Sequence, residues 1–358
     1  MSSNAHTLRV AIIGYGLGGQ VFHAPLISST PGMQVAAIVT QNPERQQMAR
    51  QAYPNAEILP SVEDIWREPA RYDLVVVTAP NRVHVAYGIA ALQAGLPVVI
   101  DKPVAATVAD AERLIEASKQ AGKLLSVFQN RRWDNGFLTL QQILNTNMLG
   151  PVARYESRFD RYRPTPRANA WREDASPEDA GGLLYDLGSH LIDQAVVLFG
   201  KPKSVYAELA RRRPGVQVDD DTFVAVEFEN GVSAHFHMTM LGRIAGSHLR
   251  VNGLLGSYVK QEIDPQEADL RKGLRPGDVG WGIEPTSHWG LLSTDVNGLH
   301  FDGPIETLPG SYERYYDLMR DAILHNGKPP VDAQETLVTL RIIEAAQESA
   351  RKGTTIRL

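Results

Sequence analysis

The segment Leu8 to Gly19, LRVAIIGYGLGG, limits the fold of this chain more than any other, because an apolar run breaks directly into glycines at Gly14, Gly16 and Gly19. The run is a buried-strand pattern. The glycines mark a turn that cradles phosphate. Gly14 permits the tight exit from the strand, Gly16 lets backbone N–H groups approach a pyrophosphate, and Gly19 lets the next helix pack against the strand. That helix aims the positive end of its dipole at the phosphates. A glycine loop without a ligand is the competing explanation, but the position straight after a buried strand favours a dinucleotide.

Size and charge narrow the rest. A chain of 358 residues, 43% hydrophobic, can bury a sizeable core and is expected to form two domains. Cys is absent, which excludes disulfides, thiolate nucleophiles and Cys-bound zinc. With 36 basic against 41 acidic residues, no global attraction for nucleic acid is expected. No run is as long as a membrane span, and the opening MSSNAHTLRV lacks a basic region followed by an apolar one. A cytoplasmic, unprocessed protein with no membrane partner is the expectation.

The first third alternates strands with helices. The pattern predicts a short helix interrupted near Pro25, a strand at Met33–Val39, a helix from Pro43 to Tyr53, and a helix capped by Ser61 with Asp64 as reciprocal acceptor. The continuous apolar run LVVVTAP, Leu74 to Pro80, predicts a strand covered on both faces. A helix at His84 to Gly95, a strand at Val98 to Asp101, a helix from Thr107 to Gly122 and the strand LLSVF ending at Phe128 complete the series. Such alternation means a doubly wound parallel sheet of Rossmann type. Residues 1–128 are expected to form the dinucleotide-binding domain, and residues 129–358 an α/β domain for substrate binding and oligomerisation.

Cofactor choice is legible at the end of the second strand, which reads VTQNPER. An acidic residue there would bond a ribose 2′-hydroxyl. Instead Thr40, Gln41 and Asn42 offer neutral hydrogen bonds and Arg45 a cation for a 2′-phosphate, so NADP is expected over NAD. Arg45 as an ordinary exposed helix residue is the alternative.

Past Phe128 the stretch NRRWDN leads into a helix with Phe137, Leu140, Ile143 and Leu144 at helical spacing. The basic stretch Arg154 to Asp179, with Arg158, Arg161, Arg163, Arg167 and Arg172, is expected to be mostly a solvated strand face and loop. Gly181 to Phe199 then carries an apolar stripe of Leu184, Leu187, Leu191, Ala195 and Leu198, with Asp186 and His190 four apart on one helix face. Such a pair suits proton transfer near neutrality. A plain helix salt bridge is equally compatible, and the place after a dinucleotide domain tilts the balance toward catalysis.

The remainder predicts an antiparallel sheet: Thr222 to Phe228, a two-residue turn at Asn230-Gly231, Val232 to Met240, then His248 to Asn252 and Ser257 to Lys260. His235 and His237 share a face, but with no third ligand of evident spacing sheet packing explains them better, and no metal is expected. Residues 261–310 predict an ordered loop anchored by Trp281 and Trp289. Helices at Tyr312 to His325 and Ala333 to Arg351 and a short TTIRL strand finish the chain.

The order GYGLGG, TAPN (Thr78 to Asn81), DKP (Asp101 to Pro103) and YDLGSH (Tyr185 to His190) resembles the Gfo/Idh/MocA family of sugar and cyclitol oxidoreductases over almost the whole chain. VFHAPL, FQNRRWDNGFLTL and GSYVK look closest to its NADP-dependent scyllo-inositol dehydrogenase branch. The resemblance implies an N-terminal Rossmann domain and a C-terminal α/β domain whose open, mostly antiparallel sheet is an oligomer contact. The family's Glu-Lys-Pro motif falls on Asp101, Lys102 and Pro103, with Asp in place of Glu, so Lys102 is implied as the catalytic lysine beside a bond that is often cis. The family's D-x-x-x-H pair falls on Asp186 and His190.

The activity implied by the resemblance is reversible hydride transfer between nicotinamide and a secondary carbinol of a cyclitol or sugar, scyllo-inositol foremost. His190 moves the hydroxyl proton, Lys102 bonds the oxygen, and Asp186 orients the histidine. Cofactor contacts are implied at Gly14, Gly16, Leu17, Gly19, Thr40, Gln41, Arg45, Thr78, Pro80, Asn81, His84, Asp101, Lys102 and Gln129. Substrate contacts are implied at Asn130, Arg131, Trp133, Tyr162, Trp171, Arg172 and Tyr185. An aldose dehydrogenase of the same family and a non-catalytic NADP-binding sensor are the alternatives. An uncovered sheet face would expose an apolar patch unless a second subunit covers it, so a homodimer or homotetramer is expected.

Overall fold

The structure is a computed structural model describing residues 7–166, 179–296 and 298–358. In chain order it runs β1 (Leu8–Ile13), α1 (Ala24–Ser29), β2 (Met33–Val39), α2 (Pro43–Ala52), β3 (Glu57–Leu59), α3 (Glu63–Arg67), β4 (Leu74–Val77), α4 (His84–Gln93), β5 (Val98–Asp101), α5 (Val108–Ala121) and β6 (Leu125–Phe128). It continues with α6 (Asn135–Asn145), β7 (Val152–Asp160), α7 (Ser189–Phe199), β8 (Pro202–Ala210), β9 (Asp221–Phe228), β10 (Ser233–Thr239), β11 (Leu249–Gly253) and β12 (Gly256–Lys260). The last elements are α8 (Gln266–Lys272), β13 (Gly290–Val296), β14 (Leu299–Ile305), α9 (Glu313–His325), α10 (Ala333–Lys352) and β15 (Ile356–Arg357). Two compact units result. The first joins the chain up to Asn130 with Gln266–Trp281 and Ser311–Thr336, and the second joins Arg131–Pro265, Gly282–Gly310 and Leu337–Leu358.

In the first unit six parallel strands lie in the order β3-β2-β1-β4-β5-β6. This is the doubly wound Rossmann sheet, and its strand order reverses between β1 and β4, where such sheets bind ligands. The central strands carry uninterrupted branched residues; Val75, Val76, Val77, Val98, Val99 and Ile100 are all completely buried. Helix ends follow local chemistry. Thr107 caps α5 by accepting a bond from the Asp110 N–H at 3.1 Å, and Asn42 caps α2 from the Arg45 N–H at 3.0 Å.

Local expectations fail where a short element cannot complete its pattern. Ser61 accepts from the Glu63 N–H at 3.4 Å, while Asp64 turns to Arg67 at 2.9 Å. Helix α3 has Val62 rather than Ser61 at its N-cap, so Asp64 is its second residue and cannot close a reciprocal box. Strand β4 ends at Val77 rather than Pro80, because the chain turns off the sheet at Thr78. Pro25 does not interrupt its helix either. A π-helical stretch, Gly18–His23, runs directly into α1, so the helical backbone continues through Pro25 and changes type just before it.

The second unit holds a nine-stranded sheet in the order β14-β13-β12-β11-β7-β10-β9-β8-β15. Only β7 and β10 pair in parallel, and every other neighbour is antiparallel. Its inner face is the alternate set Tyr155, Phe159, Val224, Val226, Ala234, Phe236 and Met238, all buried. Helix α7 packs on β7 and β10, and Ser349 of α10 accepts the Ala207 N–H at 2.9 Å.

The opposite face corrects the expectation of an apolar patch. Alternation sends Arg154, Glu156, Arg158 and Asp160 outward from β7, and His235 and His237 outward from β10. Both histidines pack against Phe223, with ring centroids 5.7 and 4.8 Å away. The β9–β10 connection also differs. Glu227 pairs with Ser233, and the Phe228 N–H bonds the Val232 carbonyl, so the loop is the three residues 229–231 with Gly231 at φ 87°. Residues 261–310 are no single loop: they supply α8, β13 and β14. Exposed Leu291, Leu299 and Phe301 and the inserted Gly303-Pro304 obscure the strand periodicity. Trp281 is buried, with its indole N–H donating to Glu313 at 2.8 Å, whereas Trp289 is half-buried.

Candidate active site

At the carboxyl end of β1 the backbone takes a conformation only glycine tolerates: Gly14 has φ 102°, and a Cβ there would lie 2.7 Å from the Thr78 carbonyl oxygen. A Cβ on Gly19 would strike the Gly14 carbonyl oxygen, and one on Gly18 would meet the Thr78 hydroxyl and Asp101. Gly16 is different. A Cβ there would meet nothing nearer than the Arg45 guanidinium, at 3.7 Å. The turn is therefore closed by protein on three sides and open at Gly16, with a cation beside the opening. That fits a dinucleotide whose phosphate approaches the Gly16 backbone.

The neighbouring strand ends converge on this turn. Thr40, buried at the end of β2, gives its carbonyl to Gln46 at 2.9 Å, while Gln41 and Arg45 remain exposed. Beyond β4, Asn81 is buried and Pro80 exposed. His84 is wholly turned inward: its Nδ1 lies 2.9 Å from the Pro103 carbonyl and its Nε2 2.9 Å from that of Ala79. Burial lowers its pKa despite Asp101 and the two carbonyls, and a neutral ring donates to one carbonyl only. The residue thus staples the loops after β4 and β5.

Beyond β5, Asp101 Oδ1 accepts the Lys102 N–H at 2.8 Å, and Oδ2 accepts the Thr78 hydroxyl at 3.3 Å. The Lys102-Pro103 bond is cis. Burial pushes the Asp101 carboxyl up, but the neighbouring His23 ring and then the Lys102 charge outweigh it and hold the pKa down at about 2. Gln129 and Asn130, after β6, are both buried.

In the second unit Asp186 and His190 sit on a continuous helical segment that changes type between them, π-helical over Leu184–Gly188 and then α7. Such π-turns concentrate at functional sites. Asp219 secures the segment, accepting the Leu184 N–H at 2.8 Å and the Thr222 hydroxyl at 2.6 Å. Burial raises the Asp219 pKa, against those bonds. Of the stripe, Leu184, Leu187, Leu191 and Ala195 are buried and Leu198 is half-buried.

The remaining sequence-derived positions separate. Arg131 is buried, 3.4 Å from Asp134 and stacked 5.0 Å from the Phe159 ring centroid. Trp133 is half-buried. Tyr162 is exposed beneath the Arg243 guanidinium. The buried Tyr185 hydroxyl bonds Gln347, and its pKa is pushed up to about 12, by burial first and the Glu344 charge second. Trp171 and Arg172, like Arg167, lie outside the described residues. Sequence reasoning missed Gly18, His23, Asp219, and the pair Arg132–Asp193, which closes bidentately at 2.8 and 2.9 Å. Only Gly18 had a local signal, the extra glycine of GYGLGG. Among the described residues no group of three metal-ligating side chains gathers, and no helix is long and apolar enough to cross a membrane.

Comparison with known proteins gives a consistent result. Residues 8–129 match the family model described as "Oxidoreductase family, NAD-binding Rossmann fold", and residues 141–358 match "Oxidoreductase family, C-terminal alpha/beta domain". The chain is 38% identical over 358 residues to the uncharacterized oxidoreductase YdgJ of Escherichia coli, covering 100% of both. It is 38% identical over 355 residues to the scyllo-inositol 2-dehydrogenase (NADP(+)) IolW of Bacillus subtilis, covering 98% of this chain and 96% of that one. The solved structure of the oxidoreductase yvaA from Bacillus subtilis superposes with a TM-score of 0.93 at 36% identity, covering 100% of both chains.

Proposed function

Because the chain belongs to the Gfo/Idh/MocA oxidoreductase family, we propose that it is an NADP-dependent dehydrogenase of a cyclitol or sugar, with scyllo-inositol and its ketone as the foremost pair. The observation that carries the reading is the group of strand ends around Gly16: an open phosphate turn, Arg45 beside it, and Asp101 clamping Lys102. The likeness to a relative named as an NADP-dependent inositol dehydrogenase supports the same substrate class.

In this reading the cofactor role falls to residues 1–128, with Gln129 at their edge, and the substrate role to the rest of 129–358. The backbone at Gly14, Gly16, Leu17 and Gly19 holds pyrophosphate, and Thr40, Gln41 and Arg45 take the adenosine ribose and its 2′-phosphate. Thr78, Pro80, Asn81, Asp101 and Gln129 line the nicotinamide side, with His84 supporting their loops. When bound, the cofactor supplies the carbon that accepts or returns the hydride. The Lys102 ammonium donates to the carbinol oxygen and stabilises its developing negative charge. His190 accepts the hydroxyl proton during oxidation and returns it in reduction. Asp186 orients His190 and accepts a neighbouring hydroxyl. Asn130, Arg131, Trp133, Tyr162, Trp171, Arg172 and Tyr185 remain the substrate candidates; Arg131 and Tyr185 act through the groups they already hold.

The test is absorbance at the reduced-nicotinamide band with NADP and NAD in parallel against a panel of inositols and aldoses. Reduction of NADP by an inositol is expected. Tight NADP binding without turnover on the whole panel would instead favour a sensor. A homodimer or homotetramer joined through the charged outer sheet face would loosen as salt rises. Sedimentation should show the assembly weakening toward 1 M salt, and a monomer at every ionic strength would remove it.

A further inference from the structure

We propose that His23 is a positioning residue for Lys102, acting through the Asp101 carboxylate and held in its working tautomer by Tyr316; this rests on the reading of Lys102 given above. All of these residues belong to the first unit. His23 is completely buried, its Nδ1 2.5 Å from the Tyr316 hydroxyl and its Nε2 3.6 Å from Asp101 Oδ2. Its ring packs on Phe128 with centroids 4.2 Å apart.

The buried Tyr316 hydroxyl has a donor's proton and, at Nδ1, a ring nitrogen able to accept it. Donation to Nδ1 leaves the imidazole proton on Nε2, the atom facing the carboxylate. Nε2 has no hydrogen-bond partner among the described residues. At 3.6 Å it acts on Asp101 as an oriented dipole rather than as a closed hydrogen bond. The ring is fully buried and the carboxylate half-buried, so water screens the dipole less than it would on an open surface. The carboxylate is boxed on its other side, since a Cβ on Gly18 would come within 2.7 Å of Oδ2. Its second oxygen holds the Lys102 amide at 2.8 Å. A swing of the carboxylate therefore moves the backbone from which the lysine side chain departs.

The experiment monitors the Lys102 amide by deuterium exchange in NADP-loaded protein, where Pro103 contributes no amide of its own. The variants are His23→Leu, which removes the dipole, His23→Gln, which keeps a donor, and Tyr316→Phe, which removes one oxygen and keeps the ring. Exchange at Lys102 should quicken by about tenfold in His23→Leu and a few-fold in Tyr316→Phe, with His23→Gln close to the parent; kcat should fall in the same order, about tenfold for the first, with KM and the NADP Kd within about twofold. Unchanged exchange and kcat in Tyr316→Phe and His23→Leu, accompanied only by a lower Tm, would overturn the proposal. Should His23→Leu fail to fold, Tyr316→Phe decides alone. The exchange measurement needs no substrate, so a protein that turns over no polyol refutes the functional reading, while exchange at Lys102 still decides whether His23 and Asp101 hold that backbone in place.

Discussion

Replacing Arg45 by Ala tests cofactor choice where the structure concentrates it. The Arg45 guanidinium is the nearest group to the Gly16 turn, 3.7 Å from where a Cβ would stand, and the residue is exposed. Two unit charges 4 Å apart interact by about 1 kcal/mol in bulk water and about 4 kcal/mol at the effective dielectric of a protein surface. A charge-assisted hydrogen bond contributes about 1.5–3 kcal/mol net, so NADP affinity should fall roughly 10- to 150-fold. NAD, which lacks the 2′-phosphate, should bind the variant about as before. The assay is fluorescence titration of both reduced cofactors against parent and Arg45→Ala protein, at low and at 0.5 M salt. The loss should shrink at high salt, because an exposed pair is screened. Equal losses for the two cofactors, or none for either, would refute the assignment of Arg45 to the 2′-phosphate.

The same geometry sets further outcomes. Gly16→Ala should fold with an unchanged Tm, because its Cβ meets only a flexible arginine, yet lose roughly 10- to 150-fold in NADP affinity; Gly19→Ala, whose Cβ strikes the Gly14 carbonyl, should lower the Tm by calorimetry as well. Lys260 is completely buried and bonds Glu284 at 2.9 Å, so Lys260→Met strands a buried carboxylate and should cost about 3–5 kcal/mol in denaturant unfolding. Adding Glu284→Gln should recover much of that loss. Burial lowers His248 to a pKa of about 4, so the folded form resists a proton that the unfolded chain accepts below about 6.5. Stability is complete above that value and should fall by about 3 kcal/mol as pH drops from 6.5 to 4, a slope that His248→Asn should flatten.

Most strands and helices were legible in the sequence because each rests on short-range physics, whereas Lys102 became a candidate through the order of motifs that resembles the family. Branched runs specify the parallel strands, Thr107 and Gly122 bracket one helix, and GYGLGG admits few backbone paths. Asp186 and His190 stand four apart on one helical segment, a spacing readable from the chain. Where a pattern is short or broken, the sequence misleads: Ser61 and Asp64 imitate a capping box, and exposed leucines hide β13 and β14. The partnerships that give the site its chemistry join residues distant along the chain. His23 and Tyr316 are 293 positions apart, and Asp219 reaches a helix start 35 positions earlier. No periodicity reports such pairs, because they exist only once the sheet order fixes which strand ends adjoin. The sequence by itself determined the strand–turn–helix grammar, the glycine cradle, and Lys102, Asp186 and His190 as candidates. Tertiary structure alone decided that Asp101 sits between Gly18 and His23, that residues 266–281 and 311–336 join the first unit, and that the open sheet face is charged. Local periodicity is set by backbone geometry over a few residues, whereas these arrangements depend on how distant segments close over a shared core.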